Sequence, residues 1–141
     1  MTTIAYKDGV IAFDSRCCRD NTIMDDDFLK RISRDGVEIF YSGSTADAQV
    51  FADHWFGDRQ SCPGLDTAAY VWDGKTLHYA GSDKSGLWAC PVSLDREEAI
   101  GSGADHAMTA MDMGATAREA VKMAAQRDCG TGGKIRTFKL R

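Results

Sequence analysis

The chain opens with two short runs rich in β-branched and aromatic residues, Thr2-Thr3-Ile4-Ala5-Tyr6 and Val10-Ile11-Ala12-Phe13, joined through Lys7-Asp8-Gly9. Glycine tolerates the positive φ that tight hairpin turns demand, so this stretch predicts a β-hairpin whose returning strand carries Asp14 back beside the chain start. Proximity follows from any such hairpin, but facing does not. A three-residue loop sets Asp14 opposite Thr2, whereas a loop of Asp8-Gly9 alone sets it opposite Thr3, and that one-residue slip exchanges the faces of the sheet.

Methionine is normally trimmed before a small second residue, which would make Thr2 the mature N-terminus. Its α-amino group, with an ordinary pKa near ~7.7 to 8.0, would then be free to take the proton of the Thr2 hydroxyl. That is the threonine form of an activated nucleophile. On the dipeptide Thr2-Thr3 alone a plain edge strand is by far the commoner reading, so the remaining residues must decide.

The chain has 141 residues, formal charge -4 and 43% hydrophobic residues. It is expected to form one soluble domain spanning residues 1–141, with enough apolar material for a core. No apolar run reaches membrane-spanning length and no signal-peptide pattern precedes the first hairpin, so neither secretion nor membrane attachment is expected. The five cysteines, Cys17, Cys18, Cys62, Cys90 and Cys129, are odd in number and contain no Cys-x-x-Cys spacing. This argues against a disulfide framework and for the reducing cytosol. His54, His78 and His106 lie far apart, so no metal and no cofactor are expected. Mild acidity without clustered Lys and Arg gives no footprint for nucleic acid.

Along the chain, a polar, acidic loop through Asp20, Asn21, Asp25, Asp26 and Asp27 leads into Phe28-Leu29-Lys30-Arg31-Ile32. Lys30 reads either as a solvated side chain on a strand edge or as a cation held near Asp14. Gly36 to Tyr41 predicts a strand stopping at Ser42-Gly43, and Ser44 with Asp47 predicts the cap of a helix carrying Ala48, Phe51, Ala52 and Trp55 until Gly57. At such a junction the Gly43 N–H can point toward a developing negative charge, or Gly43 can simply permit the turn. Asp58 to Asp66, including Cys62, reads as a loop or a single helical turn.

Ala68 to Trp72 and Lys75 to Ala80 predict a second hairpin about Asp73-Gly74, with Gly86 to Cys90 a further strand. Ser102 with Asp105 has the spacing of a helix cap, and Thr116 with Glu119 that of a full capping box. After the latter, Ala117, Ala120, Val121, Ala124 and Ala125 form one small-residue face. Asp128 at the end of that helix opposes the macrodipole, so a compensating partner such as an ammonium group is expected. Cys129 to Gly133 then turns into a last strand, Lys134 to Leu140.

Five stretches resemble, in order, the motifs of proteasome β-subunits and their bacterial relatives among the N-terminal nucleophile hydrolases. They are Thr2-Thr3-Ile4, Ile11 to Arg16, Ser42 to Asp47, Ile100 to Gly103, and Arg127-Asp128 with Thr131-Gly132-Gly133. The resemblance implies Thr2 as nucleophile, its amine as base, Lys30 with Asp14 as the charge pair easing deprotonation, and the Gly43 N–H for the oxyanion. The family's interval from Asp14, through Asn21-Thr22-Ile23-Met24, ends on Lys30 rather than Arg31. Ser102, Asp128 and Thr131 fall where the family holds the threonine amine and its water, with Thr131 in place of the usual serine. Cys18, Phe28, Ile32, Tyr41, Thr45 and Gln49 would line the pocket for the side chain before the cut bond, implying an apolar or aromatic preference.

The implied fold is α+β, a four-layer αββα sandwich with two antiparallel sheets between helix layers. The first hairpin is shorter than the family's and the second helix after Gly43 is reduced. The implied function is a threonine-type peptidase acting on peptide or unfolded protein, within a homo-oligomeric ring that an ATPase unfoldase could serve. The competing readings are a noncatalytic ring scaffold of the same fold and a small-molecule amidase of the same superfamily.

Overall fold

The computed structural model describes residues 1–60 and 63–140. Among them the elements run β1 (Thr3–Lys7), β2 (Val10–Phe13), β3 (Cys17–Arg19), β4 (Thr22–Asp25), β5 (Arg31–Arg34), β6 (Val37–Gly43), α1 (Thr45–Trp55), β7 (Thr67–Trp72), β8 (Leu77–Asp83), β9 (Gly86–Pro91), β10 (Glu98–Gly101), α2 (Ala104–Asp112), α3 (Ala117–Arg127) and β11 (Arg136–Lys139). Among the described residues every strand pair is antiparallel and there are three helices, an α+β arrangement. It divides into two compact units, Met1–Lys30 with Leu94–Arg141, and Arg31–Ser93.

The first unit is built on the opening hairpin. Lys7 pairs with Val10 and Ile4 with Phe13, so the loop is Asp8-Gly9 alone. Both loop residues take positive φ, 50° and 78°, the backbone twist that a two-residue turn needs to join twisted strands. Asp14 therefore lies opposite Thr3, to whose carbonyl its N–H donates at 3.3 Å. The hairpin sits centrally in a four-stranded sheet of order β10-β1-β2-β11. Alternation along the strands turns Ala5 and Ala12 toward α2 and α3, where they pack with Ala107, Met111, Ala117, Ala120, Val121 and Ala124. Short side chains on both surfaces let helix and sheet approach closely. The expected capping box of α3 is present, with the Thr116 side chain accepting from Glu119 N and Glu119 reaching back to Thr116 N.

The stretch from Asp20 to Asp27, expected as loop, instead supplies the turn and the exposed second strand of a separate two-stranded hairpin of half-buried Cys17 and Cys18 on β3 with β4. The β-branched Thr22-Ile23 favours extension, and Asp20 takes φ 54°, so the acidic residues there supply a turn and flanks rather than an irregular loop.

The second unit is a five-stranded sheet of order β5-β6-β7-β8-β9 with α1 packed on β6 and β7. Ser44 caps α1 by accepting from Asp47 N, and Ala48, Phe51 and Ala52 are buried as the helical spacing predicts. The turn after β7 is longer than expected. Trp72 pairs with Leu77 rather than with Lys75, because the Asp73 carboxylate accepts from Lys75 N and Thr76 N and holds these residues in the turn. Among the described residues no helix other than α1 lies between β6 and β7; Cys62 falls outside them.

Gly43 closes β6 at φ 109°, and a Cβ there would stand 2.2 Å from the Asp66 carbonyl oxygen. Close approach and dihedral both require glycine. Gly43→Ala is expected to cost about 2 kcal/mol or more, seen as a lower urea midpoint at unchanged m-value. An unchanged midpoint would show that the junction relaxes freely.

Candidate active site

The first unit gathers its polar residues at the start of β1. Thr2 and Thr3 are buried together with Asp14, Ser15, Lys30 and Thr131, and Asp14 is 0% and Lys30 4% exposed. A charge hidden this deeply needs saturated partners. Asp14 has them: Oδ1 accepts from Lys30 Nζ at 2.9 Å and Thr3 N at 3.2 Å, while Oδ2 accepts from Gly132 N at 2.9 Å and Arg16 N at 3.3 Å.

Lys30 lies just before β5 and is buried, so the reading of a solvated strand-edge lysine is corrected. Its ammonium has three protons and three acceptors: Asp14 Oδ1, Thr2 Oγ1 at 2.9 Å and the Met1 carbonyl at 3.3 Å. Because Lys30 donates to Thr2 Oγ1, the Thr2 proton must go elsewhere, and it goes to the Met1 carbonyl oxygen. Burial pushes the Lys30 pKa below the usual lysine value; the charge and hydrogen bond of Asp14 oppose this without overcoming it. The result is a buried cation set against a hydroxyl.

A second cluster holds the Thr2 nitrogen. Thr2 N donates to Ser102 Oγ at 3.1 Å, and Ser102 Oγ donates to Asp128 Oδ2 at 2.5 Å. Of the two readings of Ser102, the helix cap does not form: the N-cap is Gly103, with no side-chain cap bond. The Ser102 oxygen accepts from Thr2 N instead of from α2, and its proton is held by the ionised Asp128. Asp128, at the end of α3, also accepts from Thr131 Oγ1 at 2.6 Å and Gly130 N at 3.2 Å. Burial opposes its ionisation, yet the hydrogen bonds from Ser102, Thr131 and Gly130, with the chain's amino group adding to them, hold its carboxyl below the ordinary value. Hydroxyls, an N–H and the amino group thus supply the compensation that the macrodipole argument asked for.

Glycines make these approaches possible. A Cβ at Gly101, whose φ is 102°, would stand 2.0 Å from the Thr2 carbonyl oxygen, and one at Gly103 would stand 2.1 Å from Thr3 Oγ1. At Gly132 it would strike the Arg16 guanidinium, which holds both Asp26 oxygens and the Cys129 carbonyl. Sequence reasoning did not single out Thr3, Arg16 or Gly132 as site residues. The glycine density at 101–103 and 130–133 was the available signal.

The structure brings together Thr2, Asp14, Lys30, Ser102, Asp128 and Thr131. Of the residues read as a substrate pocket, half-buried Cys18 on β3 and Phe28 before Lys30 belong to the first unit. Half-buried Ile32 on β5, buried Tyr41 on β6, and exposed Thr45 and Gln49 on α1 belong to the second, as does Gly43. Gln49 Nε2 is engaged by Asp53 Oδ1 at 3.1 Å. Cys17, Cys18, Cys90 and Cys129 are free thiols, and among the described residues no three His, Cys, Asp or Glu side chains converge as metal ligands. No helix there is long and apolar enough to cross a membrane.

This architecture is the proteasome β-type fold of N-terminal nucleophile hydrolases. BPH of Thiobacillus denitrificans superposes with TM-score 0.71 at 19% identity over 99% of this chain and 98% of that one, and its complex with Epoxomicin gives the same values. Eukaryotic HslV from Trypanosoma brucei superposes with TM-score 0.70 at 18% identity over 98% of each chain. No protein-family model and no curated protein matches the sequence. The likeness is one of fold.

Proposed function

We propose that the chain is a threonine-type peptidase in which Thr2, once Met1 is removed, attacks peptide carbonyls. The observation that carries this reading is the buried Lys30 ammonium 2.9 Å from both Thr2 Oγ1 and Asp14 Oδ1. Loss of Met1 removes the carbonyl that now takes the Thr2 proton and converts the Thr2 nitrogen into an amine, which accepts that proton instead. Lys30, anchored by Asp14, stabilises the developing alkoxide. Oγ1 then bonds to the substrate carbonyl carbon, and the Gly43 N–H receives the oxyanion. Collapse expels the new N-terminal amine, which takes the proton and leaves an ester on Thr2. Water then gives a proton to the Thr2 α-amine and bonds to the ester carbonyl carbon; the C–Oγ1 bond breaks, Oγ1 takes that proton back, and the acid is released. Ser102, held by Asp128, keeps the amine in place throughout.

In this proposal residues 1–141 act as one domain. Cys18, Phe28, Ile32, Tyr41, Thr45 and Gln49 then select an apolar or aromatic residue before the cut bond. The protein works in the cytosol as a homo-oligomeric ring on peptides or on chains fed by an ATPase unfoldase. A scaffold of the same fold would keep Met1 over the Thr2 hydroxyl, so intact mass separates the two readings.

The expected result is a mass lacking one methionine and, after incubation with Epoxomicin, an adduct on the peptide beginning at Thr2. Retained Met1 together with no adduct would overturn the peptidase reading.

A further inference from the structure

Thr3 stands between the two clusters and has no part in the mechanism above. Its backbone N–H donates to Asp14 Oδ1 at 3.2 Å, while its hydroxyl lies 2.7 Å from Thr131 Oγ1, with both residues 0% exposed. The direction of that second bond follows from counting protons. Each hydroxyl has one. Thr131 spends its proton on Asp128 Oδ2 at 2.6 Å, where the acceptor is an ionised carboxylate that cannot donate. Thr3 must therefore donate to Thr131. The chain of bonds runs one way, from Thr3 to Thr131 to Asp128, and meets at Oδ2 the proton that Ser102 donates on behalf of the Thr2 nitrogen.

We infer that Thr3 is a positioning residue: its hydroxyl, by donating to Thr131, commits the Thr131 proton to Asp128 and so fixes the carboxylate that holds the Thr2 amine through Ser102. Successive hydrogen bonds polarise one another, so the first donor strengthens the last bond. A free Thr131 hydroxyl could rotate; one whose lone pair is already occupied by a buried donor has a single place for its proton. Thr3 is also the residue through which one segment touches both carboxylates, Asp14 by its backbone and Asp128 by its side chain. The groups facing Asp128 are Ser102, Thr131, Gly130 N–H and the chain's amino group, with Arg16 nearby on the Cys129 carbonyl but engaged by Asp26.

The catalytic consequence rests on the peptidase reading; the effect on Asp128 does not. The test compares wild type, Thr3→Val, which keeps the branched shape and the bond to Asp14 but loses the hydroxyl, and Thr3→Ser, which keeps the hydroxyl. Carbon-13 titration of the Asp128 carboxyl is expected to move to higher pH in Thr3→Val and to stay at the wild-type position in Thr3→Ser. Peptide hydrolysis by Thr3→Val should lose about tenfold in kcat with KM within about twofold, while Thr3→Ser retains the rate. In a Thr131→Val background, adding Thr3→Val should cost little more. Should Thr3→Val not fold, Thr3→Ala removes the same hydroxyl without crowding.

Identical Asp128 titrations in wild type and Thr3→Val, or a Thr3→Ser variant as impaired as Thr3→Val, would overturn the inference. Wild type that cleaves no peptide would sink the peptidase reading alone, since the titration still decides the role of Thr3.

Discussion

Thr2→Ala is expected to abolish peptide hydrolysis and Epoxomicin labelling, a loss of about 10⁴-fold or more, as removal of a sole nucleophile does. Alanine is small enough for methionine to be trimmed before it, so the variant still presents an N-terminal amine over Ser102 and Asp128. Only the hydroxyl is missing. Stability should change little, by about 1 kcal/mol, because Lys30 keeps its bond to Asp14 and loses one neutral acceptor. Thr2→Ser should retain activity within about tenfold, since the same oxygen stays within reach of Lys30. The measurements are intact mass, a peptide assay and a urea melt on the three proteins. Labelling that survives in Thr2→Ala would place the nucleophile elsewhere and end the mechanism proposed for this site.

The second large effect belongs to Lys30. Lys30→Met should lower hydrolysis by about 10³-fold, and it should also destabilise the fold by about 3 to 5 kcal/mol, because Asp14 is left buried without its counter-charge. Function and stability are then separable. Lys30→Met combined with Asp14→Asn removes both charges together, and the double variant is expected to be more stable than Lys30→Met alone while remaining as inactive. If it regained activity, Lys30 would be only a structural counter-ion.

Burial depresses the Lys30 pKa below its unfolded value, so between the two values the unfolded chain binds the proton more tightly. Stability attributable to Lys30 therefore rises with pH toward the unfolded value near ~10.4, and Lys30→Met should flatten that rise. A slope unchanged in the variant would show that Lys30 does not titrate as its burial implies.

Much of the architecture was legible because it is governed by local chemistry. Asp8-Gly9 sets a hairpin turn, Ser44 with Asp47 starts α1, and Thr116 with Glu119 starts α3, each through bonds between near neighbours. The errors are of the same local kind. Asp20 and Thr22-Ile23 read as loop because acidic residues flank a short β-branched run, and Ser102 read as a cap because its spacing to Asp105 suits one. In the folded chain the Ser102 oxygen accepts from Thr2 N and its proton goes to Asp128, so the side chain serves residues far away in sequence rather than the N–H groups of α2.

By itself, then, the amino-acid sequence determined the opening turn, the helix starts, the small-residue face of α3 and the order of the motifs, since these depend on φ preferences and on residues three or four positions apart. The tertiary structure decided which hydroxyl meets which carboxylate. Thr2 with Ser102, Thr3 with Thr131 and Asp14 with Gly132 are brought together by strands and helices that close from opposite ends of the chain. Such pairings depend on packing and on glycines that leave room for it, and no short-range propensity encodes them.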